Sequence, residues 1–228
     1  MKRVLVWDWP IRVFHWLMVV LFLGMIITGK SEEDYLELHI DLGYVFSGVL
    51  VARIIYGFLG SYHGQFKQGL SSFKKIRLYT MVVFKSLKAH KNDDQRTKRL
   101  GHNPLGWVMV FALITLLSMQ LISGLFFTDD IFWYGPFYDY ASDDVLELLA
   151  QLHRILPDVL IALVILHISA VLLHEVRFKE KLIIAMIHGH KPIGVTSDVP
   201  LVKTPRVGVV MSLGVSLVWL IWLFSLPS

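Results

Sequence analysis

Residues 151–174 read QLHRILPDVLIALVILHISAVLLH, an apolar run punctuated by His153, His167 and His174. On an α-helix, at about 100° per residue, the fourteen steps from His153 to His167 bring the side chain back to within roughly 40° of its starting direction and raise it about 21 Å. One helix therefore offers two imidazoles on one face, near opposite sides of a hydrocarbon core about 30 Å thick. Ionisable residues in such a segment are expensive and mark function by default.

Outside this stretch the chain repeats the same character. Apolar blocks run over Pro10–Thr28, His39–Leu59, Leu105–Phe127, Ile155–Leu173 and Val207–Leu226. Each is about 19–23 residues, enough to cross a bilayer at ~1.5 Å per residue. With 55% of 228 residues hydrophobic and 18% charged, the composition excludes an ordinary soluble domain. The expected class is an all-α integral membrane protein. A cleaved signal peptide is disfavoured at the first block, which exceeds the usual apolar length of about 7–15 residues and lacks an A-x-A-like site. There is no cysteine, which excludes disulfides, cysteine-ligated iron–sulfur clusters and covalent haem attachment through C-x-x-C-H. No internal repeat is visible.

Charge sets the orientation. Between the second and third blocks lie Lys67, Lys74, Lys75, Arg77, Lys85, Lys88, Lys91, Arg96, Lys98 and Arg99 against Asp93 and Asp94. Over Thr128–Gln151, between the third and fourth, Asp129, Asp130, Asp139, Asp143, Asp144 and Glu147 stand without a Lys or Arg. The link after the fourth is basic again. The positive-inside rule then puts the N-terminus in the cytoplasm and, after five spans, the C-terminus outside. Within the first basic link, SSFKKIRLYTMVVFKSLKAH (71–90) mixes apolar and basic residues and reads as a helix on the inner membrane surface. HKNDDQRTKR (90–99) reads as a charged connector.

With that orientation the span histidines fall at two depths. His15 and His167 share the inner level; His39 and His153 share the outer one. A six-coordinate haem iron asks for this supply, two imidazoles facing one another between helices, and without cysteine the haem would be of the non-covalent b type. Taken singly, each histidine also reads as a helix–helix hydrogen-bonding residue. A structural zinc wants about four ligands together, which two separated pairs do not provide. His174 sits at the membrane edge beside Glu175, suited to a surface or propionate contact or, with His102 and Trp107, to a quinone site. His102 opens the third block in GHNPLGW, either as an interfacial cap or at a quinone. Arg53, fourteen residues after His39, is a buried cation that needs an anion, either a haem propionate or lipid phosphate. Gly43, one turn after His39, leaves room for a flat macrocycle or for helix packing. His63, His90, His188 and His190 read as parts of a solvated basic surface.

These residues together resemble the bacterial cytochrome b561 / nickel–iron hydrogenase b-type cytochrome family. VWDWPIRVFHW with His15, HIDLGYVFSGVLVARIIYGFLG with His39 and Arg53, GHNPLGW, the LH pairs at 152–153 and 166–167, and KEKLIIAMIHGHKP carry the likeness up to about Pro192. The resemblance implies a four-helix transmembrane haem-binding bundle over 1–192, followed by a linker and a fifth C-terminal transmembrane helix over 193–228. It implies two haem b groups, ligated by His15/His167 and His39/His153. It further implies electron transfer across the bacterial inner membrane between the quinone pool and a periplasmic redox partner such as a hydrogenase or c-type cytochrome. Direct turnover of superoxide or another small oxidant with quinone is the enzymatic alternative; a transporter or metal-binding scaffold is the alternative of another class. The only other contacts expected are membrane lipid and a second copy in a homo-oligomer, with no nucleic-acid partner. Acidic residues near an outer haem, and Arg53 near an inner one, predict the lower potential outside.

Overall fold

The computed structural model describes residues 2–31, 35–88, 100–128, 133–193 and 202–226. In chain order these form β1 (Lys2–Leu5), α1 (Trp9–Lys30), α2 (Leu36–Leu59), α3 (Phe66–Phe73), α4 (Ile76–Lys88), α5 (Pro104–Leu125), α6 (Asp143–Arg177), α7 (Leu182–His188), β2 (His190–Ile193) and α8 (Arg206–Ser225), with short 3₁₀ turns at Tyr62–Gly64 and Tyr138–Tyr140. Among the described residues five helices, α1, α2, α5, α6 and α8, are long and apolar enough to cross a membrane. The protein is an all-α membrane protein.

Local chemistry explains several boundaries. Pro104 takes the first position of α5, where its missing N–H costs nothing. Asn103 caps the same end, its side-chain oxygen accepting from Gly106 N at 2.7 Å. α6 is a single helix of 35 residues, and it begins well before the apolar run. DDVLELLAQLHR carries good helix formers with Asp143 and Asp144 in the first turn, where the helix dipole favours acids. The surface stretch 71–90 is not one helix: α3 ends at Phe73, Lys74 and Lys75 intervene, and α4 starts at Ile76. The connector 90–99, with His90, lies outside the described residues, as do Asp129 and Asp130 of the acidic link.

The chain divides into two compact units, each drawing on several parts of the sequence. The first comprises 1–13, 55–112 and 166–209. There β1 pairs antiparallel with β2, Lys2 opposite Ile193 and Leu5 opposite His190. Gly189 ends α7 with φ +84°, a left-handed turn that glycine adopts without strain, and its carbonyl accepts from Val6 N at 2.7 Å. Arg12 Nη1 donates to Ile187 O at 2.6 Å. Beneath this cap the fully buried Tyr56 hydroxyl donates to the carboxylate of Asp8, itself 1% exposed. Glu175 Oε2 accepts from Leu182 N at 2.8 Å and Ile183 N at 3.3 Å, satisfying the open start of α7.

The second unit comprises 14–54, 113–165 and 210–228. Leu21 of α1, Phe46 and Leu50 of α2, Leu117 of α5 and Leu160 of α6 meet in its core. Lipid offers no hydrophobic drive for such contacts, so close packing and hydrogen bonds must hold them. α8 shows how. Ser216 Oγ donates to Gly48 O at 2.8 Å, and Trp219 Nε1 donates to Ser47 Oγ at 2.8 Å. A Cβ on Gly48 would stand 2.7 Å from Leu220 Cγ, so the glycine is what lets α8 lie against α2. The fifth helix thus braces the helix that carries His39 and Arg53.

Candidate functional site

His39 and His153 lie in the second unit, within electrostatic reach of one another. Each is set by the helix before it in the chain. His39, near the start of α2, meets Thr28 and Gly29 in the last turn of α1. Its Nδ1 lies 2.9 Å from Thr28 Oγ1, and a Cβ on Gly29 would stand 2.9 Å from its Cε1 and 3.3 Å from its Nδ1. His153 meets Ser123 and Gly124 in the last turn of α5. Its Nδ1 lies 3.1 Å from Ser123 Oγ, and a Cβ on Gly124 would stand 2.9 Å from its Cε1 and 3.3 Å from its Nδ1. The same pair, a hydroxyl residue followed by glycine, receives an imidazole twice.

The oxygens around each ring favour one tautomer. Thr28 Oγ1 donates its own proton to Gly24 O at 2.9 Å, so towards His39 it can only accept. His153 Nδ1 stands 3.2 Å from Gln120 O, a carbonyl that can only accept. These acceptors suit the Nδ1–H tautomer with a bare Nε2 in both rings. Gln120 Nε2 also passes 3.2 Å from His153 Nδ1 and 3.5 Å from its Nε2, a closeness that by itself would favour the opposite tautomer. One of its hydrogens goes to His153 O at 3.2 Å. That carbonyl is open because Pro157, four residues on inside α6, has no N–H to donate. Phe127 packs on the His153 ring with centroids 5.2 Å apart.

A bare Nε2 with Nδ1–H held by an oxygen is the state in which an imidazole ligates iron. The paired glycines, where a methyl group would strike the rings, are the cradle such ligands need. On these observations His39 and His153 fit a haem. The sequence reading missed Thr28, Gly29, Gln120, Ser123 and Gly124. Taken singly they leave no mark, because serine, threonine and glycine are ordinary near the ends of membrane helices; the mark they leave is the recurrence of a hydroxyl residue followed by glycine ahead of each histidine-bearing helix.

The remaining candidates are divided between the two units. His15 belongs to the second unit, half-buried on α1, its ring edge-on to Trp16 at 5.1 Å. Arg53, also there, is 5% exposed. Gly43 faces Met25, whose Cε would lie 3.6 Å from an added Cβ, an ordinary contact. His167 belongs to the first unit and is half-buried on α6. So does His102, whose ring lies between Trp7 at 4.5 Å and Trp107 at 5.0 Å. His174 pairs with Glu180 at 3.4 Å and packs on Phe178; Glu175, its sequence neighbour, is taken up in capping α7.

His63 is not part of a solvated surface. It is half-buried against Trp7, and a Cβ on Gly101 would stand 3.0 Å from its Nδ1. Burial and then the neighbouring Lys191 ammonium push its pKa down. Lys191, 8% exposed in β2, is itself lowered by burial, with Glu180 and Glu175 opposing the shift.

Comparison with known proteins agrees with the membrane helices. The profile of the prokaryotic cytochrome b561 family matches residues 6–189. The chain belongs to that family, and is accordingly a b-type membrane cytochrome, a haem-b protein of electron transfer. A probable Ni/Fe-hydrogenase B-type cytochrome subunit of Rhodobacter capsulatus is 24% identical over 217 residues, covering 82% of this chain and 81% of its own. The probable Ni/Fe-hydrogenase 1 B-type cytochrome subunit of Escherichia coli K12 is 21% identical over 223 residues, covering 82% and 89%. No solved structure matches significantly.

Proposed function

We propose that this chain is the di-haem membrane subunit of a redox complex of the bacterial inner membrane, carrying electrons between a periplasmic enzyme and the quinone pool. The observation that carries the reading is the matched setting of His39 and His153, two imidazoles in the ligating tautomer against two glycines. Haem b, when bound, supplies a one-electron ferric/ferrous couple. His39 and His153 take one haem at the outer level. His15 and His167, matched in depth by the charge-derived topology, take the second at the inner level, with Arg53 as counter-charge to a propionate. The N-terminus is cytoplasmic and the C-terminus periplasmic.

A hydrogenase is the favoured partner, since the relatives bear that name. The outer link supports a docking role. Thr128 Oγ1 donates to Trp133 O at 2.9 Å and Gly135 N to Phe127 O at 2.8 Å, folding it back onto the end of α5, while Asp139 and Tyr140 remain exposed. On the other side, the His102 ring between two tryptophans suits a flat quinone head group. The test is pyridine haemochrome on the purified protein, expected to give close to two haems per chain, and one in each of His39→Ala, His153→Ala, His15→Ala and His167→Ala. Reduction by a quinol or by a hydrogenase with hydrogen should follow. A colourless protein from haem-replete cells would refute the reading.

A further inference from the structure

Among the groups outside the ligands themselves, the two span-closing hydroxyls carry the most. Each is locked in its role by a bond of its own. Thr28 Oγ1 donates to Gly24 O at 2.9 Å, and Ser123 Oγ donates to Gln120 O at 2.9 Å. A hydroxyl whose proton is spent on a helix carbonyl presents only lone pairs, and each presents them to an imidazole Nδ1. The two settings are unequal. His153 Nδ1–H has a second acceptor, Gln120 O at 3.2 Å, and its backbone is fixed by the Gln120 amide on the carbonyl that Pro157 frees. For His39 the Thr28 hydroxyl is the side-chain acceptor at Nδ1.

We propose that Thr28 and Ser123 are positioning residues that tune the outer haem through its two ligands, and that Thr28 is the dominant control. This rests on the assignment of His39 and His153 as the ligands of that haem. The physical route is short. An oxygen accepting Nδ1–H makes the imidazole a more basic ligand, which favours ferric iron and lowers the midpoint potential. Removing the acceptor raises the potential and weakens the grip on iron. Among the described residues no second acceptor stands at His39 Nδ1, whereas at His153 the Gln120 carbonyl replaces the Ser123 hydroxyl.

The experiment is redox titration and low-temperature EPR of the intact haem-loaded protein in Thr28→Val, Thr28→Ser, Ser123→Ala and wild type, with haem release to an excess of apomyoglobin. Thr28→Val keeps the shape and loses the hydroxyl. It is expected to move the outer midpoint positive, change the outer low-spin g values and release haem about tenfold faster. Thr28→Ser should restore all three, and Ser123→Ala should move them less. Loss of the outer haem in Thr28→Val but not in Thr28→Ser supports the proposal equally. Unchanged midpoint and g values in Thr28→Val, or defects in Thr28→Ser as large as in Thr28→Val, would overturn it. A Ser123→Ala shift as large as that of Thr28→Val would overturn the ranking. If His39→Ala and His153→Ala keep both haems, the ligand assignment itself fails, a result that the hydroxyl variants alone cannot give.

Discussion

The two glycines beside the histidine rings make a direct demand on the setting of those rings. Gly29→Ala or Gly124→Ala would put a methyl carbon 2.9 Å from Cε1 of His39 or His153. Carbon atoms rest about 3.5–4.0 Å apart, so either ring or its neighbouring helix must yield by about 0.6 Å or more. Overpacking of that degree costs about 1–3 kcal/mol, or about five- to 150-fold in affinity for whatever the rings hold in place. The strain falls on the imidazole, since glycine and ring face each other across two helices with no flexible chain end between them. Haem transfer to apomyoglobin would read the loss as a faster release of one haem of two, and EPR would show a changed outer signal.

Two controls keep the test specific. Gly214→Ala on α8 meets nothing within 4 Å and should be silent. Gly43→Ala meets only Met25 Cε at 3.6 Å, which the protein alone tolerates, so any haem lost in that variant marks a macrocycle lying over Gly43. Wild-type haem content, release rate and spectra in both Gly29→Ala and Gly124→Ala would refute the reasoning.

Tyr56→Phe leaves the buried Asp8 carboxylate without its phenol donor, a loss of about 1.5–3 kcal/mol that should lower Tm by roughly 3–12 °C in detergent. Gly48→Val drives a branched side chain into Leu220; it should loosen α8 and lower Tm while leaving haem content near two, as measured by thermal shift and haemochrome. Arg53→Gln removes a cation that is 5% exposed and should move one haem midpoint, the inner one on the present assignment, in the negative direction in a redox titration; the outer haem of the wild type should titrate lower than the inner. Because the folded-state pKa of His63 is depressed, the unfolded chain takes the proton first as pH falls below about 6.5, so stability should decline below that pH until the folded pKa is passed. His63→Gln should flatten the fall of Tm between pH 7 and pH 5.

How much of this was legible depended on which physics a residue answered to. The five crossing helices follow from apolar length alone, since a bilayer imposes its thickness on any helix that spans it. The extra N-terminal turns of α6 did not, because apolar length measures hydrocarbon and not helix: DDVLELLAQLHR is helical outside the apolar run for reasons of propensity and dipole. The break at Lys74 and Lys75 between α3 and α4 leaves no mark in a mixed apolar and basic pattern. His63 looked like one more charge in a basic link until Trp7 and Gly101 closed around it, a tertiary event across residues far apart in sequence.

The histidines themselves were legible because an ionisable residue in an apolar run stands out. What sets them was not, because serine, threonine and glycine are ordinary in membrane helices. Yet the requirement is derivable. A ligand imidazole needs one nitrogen protonated and one bare, and in lipid the proton must be held by protein oxygen, since no water competes. The nearest oxygen of suitable size on a neighbouring helix is a hydroxyl whose own proton has a carbonyl to go to, and the ring can reach it only where the next residue has no side chain. A Thr-Gly or Ser-Gly pair in the last turn of one span, followed by a histidine near the membrane entry of the next helix, meets all three conditions. The pattern occurs at 28–29 with His39 and again at 123–124 with His153, across links of very different length. On the proposed assignment of His39 and His153 as ligands, that recurrence gives both pairs one and the same role.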